Sequence, residues 1–161
     1  MAFQKKIATP LSADEALARM EGFCAYRERC PQEVRRKMVE LGLEGETAEQ
    51  IWQVLVADGY VNEERFAVAF AGGKFRVNQW GRVRIRLELQ QRGIGPDLIR
   101  QALDALDEAE YLAVLQALLE KKYKQYRSTP NARAKAAASL IRAGFEPDLV
   151  FQQLSALSFP V

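Results

Sequence analysis

The chain has 161 residues, 48% of them hydrophobic, and its 23 Lys and Arg against 21 Asp and Glu leave a formal net charge of +2. This is the composition of a folded globular protein and excludes a disordered one; the longest uncharged apolar runs, such as YLAVLQALL, fall far short of the ~20 residues that span a bilayer. There is no histidine and there are only two cysteines, so the commonest general base and the commonest zinc ligand are both missing.

Residues 1–11, with two lysines but no apolar core like that of a signal peptide, read as an N-terminal tail, and a cytoplasmic location is expected. Cys24 and Cys30 are then expected to be reduced thiols. Ser12 and Glu15 form a capping-box pattern ahead of a helix bearing Leu17, Met20 and Phe23. A second helix starts at Cys30-Pro31. A third starts at Thr47-Ala48-Glu49-Gln50, again a capping-box pattern, before Ile51 and Leu55.

Asn62, followed by Glu63 and Glu64, opens a fourth helix carrying Phe66, Ala69 and Phe70. Its Gly72-Gly73-Lys74 lacks the preceding strand and following Ser or Thr of a phosphate loop; it reads as a fraying or kinked helix end. A fifth helix starts near Asn78. Gly95-Pro96-Asp97 opens a sixth with Ile99 and Leu103, proline suiting the first helical position. Asp107 and Glu110 open a seventh bearing Leu112, Leu115 and Leu119, in which Tyr123 and Tyr126 are expected to pack between helices. Thr129-Pro130 starts an eighth, and Glu146-Pro147-Asp148 a ninth with Val150 and Leu154.

These nine helices fall into a period. Gly42, Gly93 and Gly144 are 51 residues apart, each preceded at four residues by Met38, Leu89 and Leu140 and at eight by Val34, Ile85 and Ala136. Leu43, Ile94 and Phe145 follow them. Apolar spacing by four and then glycine is the buried stripe of a helix ending in a left-handed cap. The fold expected is all-α, three tandem three-helix, helix-turn-helix-like repeats at 12–60, 61–106 and 107–161. Units of about 50 residues are marginal alone, so the repeats should stack into an elongated, curved molecule.

The charge is unevenly placed. Arg65 to Leu87 holds six basic residues and no acid, and Lys121 to Phe145 holds seven and again none. The other segments together carry ten basic against 21 acidic residues. Such windows attract phosphate or an acidic protein surface. The first marks Lys74, Arg76, Arg82, Arg84, Arg86 and the nearby Arg92 as a candidate binding strip; Phe75 and Trp80 within it read as anchors of the loop in the core, with the alternative role of aromatic contacts for single-stranded bases. The second marks Lys121, Lys122, Lys124, Arg127, Arg133, Lys135 and Arg142 as an auxiliary patch. Acids lie scattered at helix starts, where capping explains them, and no motif pairs a nucleophile with a base. Neither catalytic residue, metal, cofactor nor small-molecule substrate is expected.

Val61-Asn62-Glu63-Glu64-Arg65-Phe66-Ala67, then Gly81, Arg84-Ile85 and Leu89 through Gly93-Ile94, resemble the central signature of the RecX family, bacterial regulators of the RecA recombinase. Cys24-Ala25-Tyr26-Arg27, Glu33-Val34-Arg35 and Arg142-Ala143-Gly144-Phe145 extend the likeness, although Cys30 stands where the family has a capping serine and Val34 where it has leucine. The resemblance implies tandem three-helix repeats and binding to the RecA–DNA filament. It also implies inhibition of recombinase ATPase, strand exchange and filament extension in DNA repair and the SOS response, with DNA affinity in some members. Through the two basic windows, weak, non-specific binding of single- or double-stranded DNA is expected. The rival reading is a free-standing nucleic-acid-binding helical protein, transcriptional or single-strand-binding, and a third is a purely structural helical adaptor. Under the first reading, reversing Arg82, Arg84 and Arg86 together should abolish inhibition and spare the fold, with Lys5 and Lys6 as the control.

Overall fold

The computed structural model describes residues 9–157, and Lys5 and Lys6 lie outside them. The described residues form nine helices and no strand: α1 (Ala13–Tyr26), α2 (Pro31–Glu40), α3 (Gly45–Ala57), α4 (Glu63–Arg76), α5 (Arg82–Gln91), α6 (Pro96–Asp104), α7 (Glu108–Tyr126), α8 (Ala132–Arg142) and α9 (Pro147–Ala156). Two compact units divide the chain, Met1–Phe66 and Ala67–Val161.

The first unit is built on α1, which packs against α2 and α3. Ser12 accepts the Glu15 N–H at 3.2 Å and so satisfies one of the orphan donors at the start of α1. At the start of α2 the Glu33 carboxylate reaches back to the Cys30 N–H at 2.9 Å and also binds Arg27 at 2.6 Å. Burial alone would push the Glu33 carboxyl up, but these partners hold it below the usual carboxylate range. The core joins Ala16, Met20 and Cys24 to Val34, Met38, Ile51, Leu55 and Val61. Both cysteines are free and buried, and burial raises both thiol pKa values, which disfavours the reactive thiolate.

In the second unit α5 packs on α6, and α7, α8 and α9 pack on one another. Asp107 caps α7 by accepting the Glu110 N–H at 2.8 Å. Ile85, Leu89, Ile99, Leu103, Leu115, Leu119, Leu140, Val150 and Leu154 are buried, as their spacing requires. Three helices close with the same pair of backbone bonds. Gly42, Gly93 and Gly144 donate to Val39, Gln90 and Ile141, and the next residues, Leu43, Ile94 and Phe145, donate to Met38, Leu89 and Leu140. All three glycines have φ between 76° and 98°, the geometry of a Schellman cap. Gly59 ends α3 in the same way, a cap that the 51-residue period does not reveal.

The local expectations fail in five places. α3 begins at Gly45 without a side-chain cap, so Thr47 sits inside its first turn rather than before it. α4 continues through Gly72 and Gly73 to Arg76, because its neighbours Ala71 and Phe75 are buried and hold the helix where propensity alone would end it. α5 starts at Arg82 and α8 at Ala132, both later than the nearest turn residues suggest. Ala69 faces solvent, and Ala67 and Ala71 take the buried positions of α4 instead.

Candidate basic interface

The segment joining α4 to α5 is set by backbone bonds at both ends. The last turn of α4 is closed by Asn78 and Trp80, both donating to the Lys74 carbonyl at 3.1 Å, with Gln79 between them at φ 57°. The first N–H groups of α5 are met by backbone that the sequence places some sixty residues later: Gly81 donates to Ala143 and Val83 to Gly144, each at 2.9 Å. Arg82 N–H donates to the Tyr111 hydroxyl at 3.1 Å. Thus the positive end of the α5 dipole meets the negative end of α8. The approach is so close that a Cβ on Gly81 would lie 2.3 Å from the Gly144 carbonyl.

Beneath this joint lies a polar cluster. Tyr111, fully buried, is flanked by the rings of Phe75 and Phe145 at 5.4 and 5.3 Å. Its hydroxyl donates to Glu146, and the Arg82 guanidinium stacks on its ring at 3.8 Å. Arg82 also pairs with Glu146 at 3.0 Å and with Glu108. Burial, and then the bond to Glu146, push the Tyr111 phenol far above its ordinary range. Burial would lower the Arg82 pKa, but the carboxylates of Glu146 and Glu108 outweigh it and raise it.

The sequence strip therefore separates into groups with different partners. Arg82 is an internal residue, 19% exposed at its side chain and clasped by two acids. Arg76 pairs with Glu110 at 3.4 Å, and Arg92 with Glu88 at 2.8 Å. Phe75 is 1% exposed and out of reach of a nucleobase. Lys74, Arg84 and Arg86 form no salt bridge among the described residues. Reversing Arg82 would break the joint as well as the charge, so the triple reversal is not a clean test of binding.

Lys74 and Arg84 belong to an alternating ladder of cations and rings. Arg92 lies 4.7 Å from the Phe70 centroid, Lys74 lies 5.5 Å from Phe70 and 4.8 Å from Trp80, and Arg84 lies 3.9 Å from Trp80. A ring orders a cation without neutralising it, so Lys74 and Arg84 are held in place with their charge available. Trp80, half-buried, acts as their platform rather than as a free stacking face. Arg84 and Arg86 are two residues apart, about 200° around the helix, and Arg86 lines a different surface, a cleft beside α6.

The auxiliary patch is divided as well. Lys121, Lys122 and Lys124 lie in the last turns of α7, Arg127 follows it, and Arg133, Lys135 and Arg142 lie on α8. Lys121, Lys124, Arg127, Lys135 and Arg142 are exposed. Lys122 reaches Gln125 at 3.4 Å, and Arg133 donates to the Leu154 carbonyl at 2.9 Å, tying α8 to α9. Tyr123 and Tyr126 are half-buried. Tyr111, Glu108, Glu110 and Glu146 are the residues that sequence reading missed. The three acids stand at helix starts and Tyr111 opens an apolar run, and no local signal pairs Arg82 with an acid 64 residues away.

Two family models cover this region. The second three-helix domain of RecX matches residues 62–103, and the third three-helix domain matches residues 108–154. The chain belongs to the RecX family. A regulatory protein RecX from Prosthecochloris aestuarii is 30% identical over 143 residues, which are 89% of this chain and 93% of that protein. One from Geobacillus kaustophilus is 30% identical over 131 residues, 80% of this chain but 48% of the relative, so the chain spans about half the length of that longer RecX. The crystal structure of RecX from Lactobacillus salivarius has a TM-score of 0.81 at 20% identity, over 90% of this chain and 96% of that one, which shows the shared fold. The ladder and the Arg82 cluster both lie within the stretches matched by the RecX domains. Among the described residues no helix is long and apolar enough to cross a membrane, and no group of side chains is arranged to hold a metal ion.

Proposed function

We propose that this protein is a cytoplasmic regulator that docks on the RecA recombinase filament on DNA and restrains its ATP hydrolysis, strand exchange and extension. It would act in DNA repair and the SOS response and carry no catalytic group of its own. The relatives' description as regulatory proteins supports a regulatory role, and the likeness of residues 61–94 to the RecX signature supports the choice of partner. The observation that carries the reading is the ladder: Lys74 and Arg84 are fixed on Trp80 at 4.8 and 3.9 Å with no acid to neutralise them. A nucleoprotein filament offers phosphates to such a pair, and a positive surface both steers and orients the encounter.

The test is recombinase ATP hydrolysis on single-stranded DNA as a function of added protein. The double variant Lys74→Glu/Arg84→Glu should need at least tenfold more protein for half-inhibition, about 1.4 kcal/mol. Circular dichroism should show unchanged helix content. Arg19→Glu/Arg36→Glu, which reverses two exposed arginines of the first unit, should inhibit as the wild type does. A folded Lys74→Glu/Arg84→Glu protein with undiminished inhibition would remove the ladder from the contact.

A further inference from the structure

The cleft beside α5 has a volume of about 830 Å³ and is lined by α5, α6 and the start of α7. Its lining includes the buried Ile99, Leu103 and Leu106, which leave a narrow apolar floor, and the exposed Arg86 and Arg100. Comparing the three-helix groups in register shows what is unusual here. Arg86 corresponds to Arg35 in the first group and Ala137 in the third. Arg100 corresponds to Trp52, once the three inserted residues are allowed for, and to Phe151. In the first group the two positions satisfy each other, the Arg35 guanidinium lying 3.9 Å over the Trp52 ring. In the third they pair a small residue with an aromatic one. Only the middle group places two arginines there.

Two like charges over an apolar floor are a site that lacks its anion. Arg86 has no acid partner among the described residues, and Arg100 has only Asp97 at 3.2 Å on its own helix. With side chains 68% and 81% exposed, this is the most exposed ion pair among the described residues, and so the one that water screens most. The same cleft is also lined by Asp104, Asp107 and Glu108. Glu108 is already bound to Arg82, but Asp104 has no ion pair among the described residues. Consecutive phosphates of a nucleic acid entering the cleft would run from the arginines onto these carboxylates and be repelled. A single anionic group between apolar neighbours would not. The walls are exposed residues (Gln90, Pro96, Arg100 and Asp104), so the cleft is open as an extended chain segment requires, rather than closed around a small ligand.

We infer that this cleft is a docking site for a partner protein, taking an acidic side chain between Arg86 and Arg100 and the apolar residues beside it onto Ile99, Leu103 and Leu106. The site is separate from the cation–aromatic ladder, so one domain presents a surface for phosphate and another for protein. This goes beyond the function proposed above and does not depend on it, because its test contains neither recombinase nor DNA.

The full chain, labelled with ¹⁵N, is titrated with the peptide acetyl-Leu-Glu-Leu-Leu-amide, with its Gln analogue, and with a thymidine oligonucleotide. The Glu peptide should shift the amides of Arg86, Ile99, Arg100 and Leu103, and the Gln analogue should bind about tenfold more weakly, as expected for loss of a charge-assisted hydrogen bond. The oligonucleotide should leave these four amides in place. Arg86→Glu/Arg100→Glu should lose the peptide. Arg100→Trp, which rebuilds the pairing of Arg35 with Trp52, should lose it too while keeping the fold. Equal binding of the Glu and Gln peptides, no shift with either, or shifts of these amides by the oligonucleotide would each overturn the assignment.

Discussion

Arg82 and Tyr111 show how one residue pair couples backbone to charge. Arg82 occupies the first turn of α5, where a positive side chain opposes the helix dipole and no acid of the same turn offsets it. The offset arrives from Glu108 and Glu146, and the Tyr111 hydroxyl bridges the same acid to the Arg82 N–H. Tyr111→Phe removes that bridge and leaves two groups short of a partner, so a loss of about 1–3 kcal/mol is expected on urea unfolding. The pH dependence follows from the phenol. Its folded pKa lies above the unfolded value of about 10, so the folded state holds the proton longer. The stability it contributes is complete below about pH 10 and is lost as the pH rises beyond it. Wild type should therefore lose more stability than Tyr111→Phe between about pH 9 and 11. Parallel losses in the two proteins would mean that the hydroxyl is not held as described.

At the scale of the helix, the elements were legible because each buried stripe and each cap is local. Val34, Met38 and Gly42, and their counterparts 51 and 102 residues on, report a helix and its end with no knowledge of the rest of the chain. What the period conceals is that its glycines have different neighbours. A Cβ on Gly42 would meet nothing within 4 Å, whereas one on Gly144 would lie 2.3 Å from the Arg84 Cβ and 2.7 Å from the Arg84 nitrogen. Gly42→Ala then costs only the strain of a left-handed residue, roughly 1 kcal/mol. Gly144→Ala adds the displacement of α5 from α8, for about 2–5 kcal/mol in all. Thermal unfolding of the two variants decides it, and equal midpoints would mean that the joint between α5 and α8 is not close-packed. The start of α5 is hidden from the local sequence for a related reason. Gly81 serves as the N-cap of α5 through contacts with Ala143 and Gly144, which a window of neighbouring residues does not contain.

For the molecule as a whole, counting charge along the sequence finds the basic windows but overstates the cations they leave available. Carboxylates that the chain carries elsewhere fold back onto Arg76 and Arg82, while Arg92 is met by Glu88 one turn away. The ladder is half visible in the sequence, since Trp80 stands among the basic residues whereas Phe70 falls within the apolar spacing of α4. The fate of Arg86 depends on α6, which no spacing within α5 reveals. These assignments change what salt should do to DNA binding. If Lys74, Arg84 and about three cations of the second window meet phosphates, log affinity for duplex DNA should fall against log salt with a slope of about −4.5. Lys74→Glu/Arg84→Glu should remove about 1.8 from that slope, at about 0.9 for each phosphate contact. Neutralising the paired residues is the informative contrast: Arg76→Gln, whose guanidinium already holds Glu110 at 3.4 Å, should leave the slope within about 0.3 of wild type. Fluorescence anisotropy at several salt concentrations measures all three proteins, with a scrambled duplex beside each. A full unit lost from the slope in Arg76→Gln would return that residue to the phosphate-binding set, and a strong preference for one duplex sequence would favour a transcriptional role over filament docking.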